Sequence, residues 1–145
     1  MSLNLEQANA INANYQSGLV AASTTAGNIK TVTNRIVYSI NGIIYGKDAT
    51  DDAGFGATAG TALAIGRACA FAFWIDSAAA TTCTQGAIVS QGEGCPMPPP
   101  QPNKCCFAVV KVHLCTAVFT PGTTALGTGN TAVYYNCSTL PGSAL

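Results

Sequence analysis

The chain has 145 residues, enough for one domain with a modest core. Charged residues make up 8% of it and apolar residues 48%, and the formal net charge is zero, which excludes an intrinsically disordered chain and leaves no basic patch for nucleic acid. No apolar run reaches the roughly 18 residues of a spanning helix, and the opening MSLNLEQANA lacks the positive region and apolar run of a signal peptide, so synthesis in the cytoplasm is expected.

Residues 1–24 are expected to form an N-terminal arm or a short helix. Asn4 can cap, with Gln7 three residues on, and Leu5, Ala8, Ile11, Tyr15 and Leu19 recur at helical spacing. Several asparagines and Gly18 weaken such a helix, which is marginal in water without a core to lie on. An arm would find that core on a neighbouring subunit, with Leu5, Ile11, Tyr15 and Leu19 as the contact residues.

Residues 25–145 are expected to form a β domain. TVTNRIVYSI places Ile36, Tyr38 and Ile40 on one face of a strand over 31–40. Asn41-Gly42 follows, then a second strand over 43–47. Asn-Gly between two β-rich runs predicts a hairpin with a type I′ turn, because both residues accept positive φ. KDATDDAG reads as a solvated turn. Its aspartates Asp48, Asp51 and Asp52 lack the closing glutamate of a calcium loop.

Residues 56–68 are small, with a short strand expected around Leu63 and Ile65. ACAFAFWIDS alternates, so Phe71, Phe73 and Ile75 face one way and Ala70, Ala72 and Trp74 the other. QGAIVSQGEG is expected to return as its partner strand. The prolines at 96–102 form an extended, rigid connector. CCFAVVKVHLCTAVF is the strongest strand, with Cys106, Ala108, Val110, Val112 and Leu114 on one face and Phe107, Val109, Lys111 and His113 on the other. In NTAVYYNCST, Val133, Tyr135 and Cys137 share a face. Seven or eight short strands separated by glycine turns predict a single all-β domain, sandwich-like or barrel-like.

The motifs of chemistry are sparse. GFGATAG at 54–60 lacks the Gly-Lys-Ser/Thr of a phosphate loop, and structural turns explain it better. Asp51 and Asp52 are adjacent, so in an extended chain their carboxylates point apart. The expectation is a non-enzymatic protein without a cofactor. The seven cysteines contain no CxxC, and their odd number leaves at least one unpaired within the chain. Buried free thiols are the first reading, disulfides formed after assembly or lysis the second, and a zinc site at His113 and Cys115 the third. Strand alternation sends Cys106 inward with Val110 and Val112 and Cys105 the other way, so Cys105 is the candidate reactive, intersubunit thiol.

NRIVYSINGIIYGKDATDD, the proline connector, the long apolar strand and FTPGTTALGTGNTAVYYNCSTLPG together resemble the small head decoration, or cement, proteins of tailed bacteriophages. The likeness covers residues 31–142. It rests on the hairpin Val37 to Tyr45, the turn Lys47 to Asp51, the Phe119 to Leu126 stretch and the final Tyr-Tyr strand. The resemblance implies a structural virion protein on the outer surface of the head. It would bind the major capsid protein at capsomer junctions and self-associate as a trimer or dimer, without touching nucleic acid or membrane. Seven cysteines depart from that pattern. The low charge also predicts self-association. The alternative is a β-structured adhesive or carbohydrate-binding module of a fibre or tail, which a converging patch of exposed aromatics would favour.

Overall fold

The computed structural model describes residues 9–10, 19–20, 28–31, 36–48 and 56–137. These residues are all-β, with eleven strands and no helix among them. In chain order the strands are β1 (Asn9–Ala10), β2 (Leu19–Val20), β3 (Asn28–Thr31), β4 (Ile36–Ile40), β5 (Ile43–Lys47), β6 (Gly56–Ala57), β7 (Arg67–Ile75), β8 (Thr81–Gln85), β9 (Val89–Ser90), β10 (Cys105–His113) and β11 (Thr131–Asn136).

The centre is an antiparallel sheet of order β11-β10-β7-β8, with β9 pairing the start of β7. Its middle strands are buried on both faces. One face of β7 carries Cys69, Phe71, Phe73 and Ile75 into the larger core, and the other carries Ala68, Ala70, Ala72 and Trp74 into a smaller one. The large core is closed by a second antiparallel sheet of order β1-β4-β5, whose Ile36, Tyr38 and Ile40 point inward. Leu63, Phe119 and Leu126 fill it further, with the Phe71 and Phe119 rings edge-on at 5.9 Å between centroids. The small core is covered by the segment from Cys95 to Met97 at the start of the proline stretch. The alanines there let that strap lie close on the sheet. A third sheet of order β2-β3-β6 completes the pairing.

The β4–β5 hairpin turns on Asn41 and Gly42, whose φ angles of 52° and 79° are both left-handed, the signature of a type I′ turn. Tyr38 and Tyr45 face each other across its ladder, with rings stacked at 5.6 Å. Three bonds tie the hairpin to one end of the central sheet. Tyr38 Oη donates to the Asp76 carbonyl at 2.7 Å, Lys47 Nζ to the Ala79 carbonyl at 2.9 Å, and Asn41 Nδ2 to Asn103 Oδ1 at 3.3 Å.

Several sequence expectations are corrected. The main partner strand of β7 is Thr81–Gln85, and QGAIVSQGEG contributes only its first residue, Gln85, and the two-residue β9 to that pairing. The chain breaks between them because the strap crosses there. Gly86 donates its N–H to the Ala70 carbonyl at 2.8 Å, and a Cβ on it would strike the Pro96 carbonyl oxygen. Around Leu63 there is a single bridge to Phe119 rather than a strand. The strand expected over 31–40 is observed as β3 and β4, with residues 32–35 outside the described residues.

The largest correction concerns β10. The pairing with β7 shifts by one residue between Cys106 and Ala108, so Phe107 is an extra residue, a β-bulge. Phe107 and Ala108 consequently enter the same core, and the phase before them is inverted. Cys105 lies with Val110 and Val112, whereas Cys106 joins Val109 on the opposite face. Leu114 leaves the strand at φ 50° and is exposed rather than continuing the Val110–Val112 face.

Candidate contact surface and buried thiols

Of the four residues expected to make arm contacts, Leu5, Ile11 and Tyr15 lie outside the described residues. Leu19 is in β2, opposite Thr31, and β1 pairs with Ser39 and Tyr38, so the described pieces of this segment are extended and pair within the chain. Asp51 and Asp52 also lie outside the described residues, as do Gly54 and Phe55 of the glycine-rich stretch.

The hairpin presents two adjacent exposed apolar side chains. Ile43 is 58% and Ile44 67% exposed, immediately after the turn on β5. Among the described strands β5 pairs only with β4 and forms the edge of its sheet. A second apolar group lies at the other end of the central sheet, where β7 begins and β10 ends. Leu63 and Phe119 exchange backbone bonds at 2.9 and 3.0 Å, and Gly66 donates to the Cys115 carbonyl at 3.2 Å, so these two segments run side by side. Ile65, Leu114 and Val118 stand exposed on them. Sequence reasoning missed this second group because its segments are short of any regular period.

The polar loops beneath these surfaces are internally satisfied. Asn130 Nδ2 donates to the Ala125 and Thr128 carbonyls at 3.1 and 2.8 Å, and its Oδ1 accepts from Gly127 N at 3.0 Å. Thr58 Oγ1 accepts from Gly122 N at 3.0 Å. Thr61 N donates to Gln85 Oε1 at 2.7 Å, and Gln85 Nε2 returns a bond to the Thr61 carbonyl at 2.8 Å. The threonine-rich and glycine-rich end of the chain thus spends part of its polar inventory on holding its own loops. Every buried side-chain nitrogen and oxygen among the described residues has a partner.

All seven cysteines are free thiols, and six are buried. Cys105, expected to be the reactive one, is fully buried, and loss of water pushes its thiol up to about 12. It is an inert core residue. Burial likewise pushes Cys69 up to about 12. Cys106 and Cys137 behave differently. Both face the small core, and their thiols hydrogen-bond to each other. Cys106 donates, which holds Cys137 below the ordinary thiol range and Cys106 above it. His113 is half-buried, and desolvation followed by the Lys111 charge lowers its pKa. No group of three or more His, Cys, Asp or Glu among the described residues stands close enough to hold a metal ion, and the zinc alternative at His113 and Cys115 gains no third ligand there.

Every described aromatic residue is buried or half-buried, so none of them offers an exposed platform for stacking a sugar. No family model, no curated protein and no solved structure matches the chain.

Proposed function

We propose that this chain is a structural virion protein, a head decoration or cement protein that binds the outer capsid surface and stabilises capsomer junctions. The observation that carries the proposal is the exposed pair Ile43 and Ile44 on an edge strand. Such an edge normally carries charge or cover to prevent pairing with other chains. Burying each isoleucine against a partner would contribute about 1.5–3 kcal/mol. The low charge of the chain and the likeness of residues 31–142 to phage decoration proteins support the same reading. The partners are then the major capsid protein and further copies of this chain, as a trimer or dimer. The buried or half-buried state of the described aromatics weighs against the fibre or tail adhesive.

Immunogold labelling with antibodies to the purified chain, applied to particles from cells that produce it, tests the proposal. Gold over the heads is expected. Gold confined to tails or fibres would transfer the protein to the adhesive class, and unlabelled particles would remove it from the virion. Ile44→Lys should retain the circular dichroism of the parent while lowering its occupancy on heads. Undiminished occupancy would exclude the hairpin edge as the contact.

A further inference from the structure

We infer that Cys106 and Cys137 are a disulfide-forming pair, closed when the folded chain meets a small-molecule disulfide and open in a reducing compartment. The pairing is a consequence of the β10 bulge. Ala108 stands opposite Asn136, and Cys137 N donates to the Phe107 carbonyl at 3.1 Å, so the ladder of β10 and β11 continues to the bulge. Without the extra residue, position 106 would face the large core and position 137 the small one. The bulge turns Cys106 onto the same face as Cys137, in a shared cluster with Trp74 and Val109. Directly opposite residues on one face of an antiparallel pair approach to about 4.5 Å at Cβ, the upper end of the disulfide range, so a small local shift closes the bond.

Two further observations fit this pair rather than another. The two thiols sit in one buried cluster and shift each other's proton affinity in opposite directions, and Cys106 Sγ donates to the Ala108 carbonyl at 3.6 Å. Cys105 feels the charge of Cys137 but lies in the other core, with the backbone between them. Access is available through the sheet edge. Among the described strands β11 pairs only with β10, and Cys137 lies just past its end, so local opening of that end would expose Cys137.

The chemistry is thiol–disulfide exchange with a reagent such as oxidised glutathione. The Cys137 thiolate, stabilised by the Cys106 S–H, attacks one sulfur of the reagent and releases one thiolate. Cys106 then gives up its proton, and its sulfur displaces the second thiolate from the mixed disulfide. The two protein thiols lose two electrons and two protons in total, and the reagent is reduced to two thiols. The new bond closes a loop of roughly 30 residues, which constrains the unfolded chain and not the folded one.

The test uses the full-length protein, reduced, desalted and exposed to oxidised glutathione under native conditions. The product should be lighter by two hydrogen atoms. Trypsin should then release peptide 105–111 joined to peptide 112–145, with fragmentation placing the bridge between Cys106 and Cys137. The oxidised form should melt on the order of 10 °C higher than the reduced one. Cys105→Ala should keep the bridge and Cys106→Ala should lose it. A bridge that survives Cys106→Ala, one that fragmentation assigns to Cys105 or Cys115, or a parent chain whose thiols all remain free would each overturn the inference. The bridge is mapped in the parent chain itself, so the test holds even where a variant fails to fold.

Discussion

Gly42 and Ala79 occupy the same left-handed region of backbone space, with φ of 79° and 61°, and they predict opposite mutational signs. At Gly42 a Cβ would meet nothing within 4 Å, so the cost of a side chain there is conformational and not steric. Gly42→Val should destabilise the fold by about 1–3 kcal/mol, because a β-branched residue tolerates positive φ poorly. Ala79 already carries that strain in the turn between β7 and β8. The turn is held by Asp76 Oδ1, which accepts from Ala78 N and Ala80 N at 2.9 and 3.0 Å. Ala79→Gly should therefore stabilise the protein by about 0.5–1 kcal/mol. Urea unfolding of both variants beside the parent measures the two signs together. Equal shifts in one direction would contradict the turn geometry.

At the scale of elements, the strap over the small core meets the sheet at Gly86. A methyl group there would collide with the Pro96 carbonyl, which is backbone and cannot swing aside. Gly86→Ala should cost about 1–3 kcal/mol, as overpacking does, and should loosen the strap as well as the whole. Hydrogen exchange would show faster exchange near Ala70 and Gly86, whose backbone bond anchors the crossing. A variant with parental stability would mean that the strap can lift without loss. The hairpin was the most legible element, since Asn41-Gly42 and the alternation of Ile36, Tyr38 and Ile40 are local signals. Strand β8 was the least legible. Its TTCTQ has β-forming threonines, but the neighbouring AIVS is more apolar, and the turn before it relies on Asp76 in place of an Asn-Gly pair.

For the whole molecule, the buried thiols set an alkaline limit. Cys69 and Cys105 have folded values of about 12 against an ordinary value of 9.0. Below pH 9 both folded and unfolded chains hold these protons, and the thiols leave stability unchanged with pH. Between pH 9 and about 12 the unfolded chain loses protons that the folded chain keeps, so stability falls as pH rises. Urea midpoints of the reduced protein should drop progressively from pH 8.5 to 10.5. Replacing both cysteines with alanine should flatten that slope, at a cost in stability that is present at every pH. An unchanged slope would place the alkaline sensitivity elsewhere, the next groups being Cys83, pushed up to about 11 by burial, and Cys106, raised by its bond to Cys137 and by burial.

The sequence by itself determined that the chain is all-β, where its hairpin turns, and which residues of β7 share a face. Those properties follow from local sterics and from a period of two that needs no partner to be read. Only the tertiary structure decided the phase of β10 before its bulge. CCFAVVKV is apolar at nearly every position because both faces of the strand are buried, so no polar residue marks which side is which. A one-residue slip in such a strand leaves no trace in its composition. The slip appears when the strand is laid against β7, with Cys106 opposite Trp74, Ala108 opposite Phe73, and the Phe107 and Phe73 rings 6.4 Å apart. That packing moved Cys105 from an expected reactive surface into the core, and it set Cys106 beside Cys137.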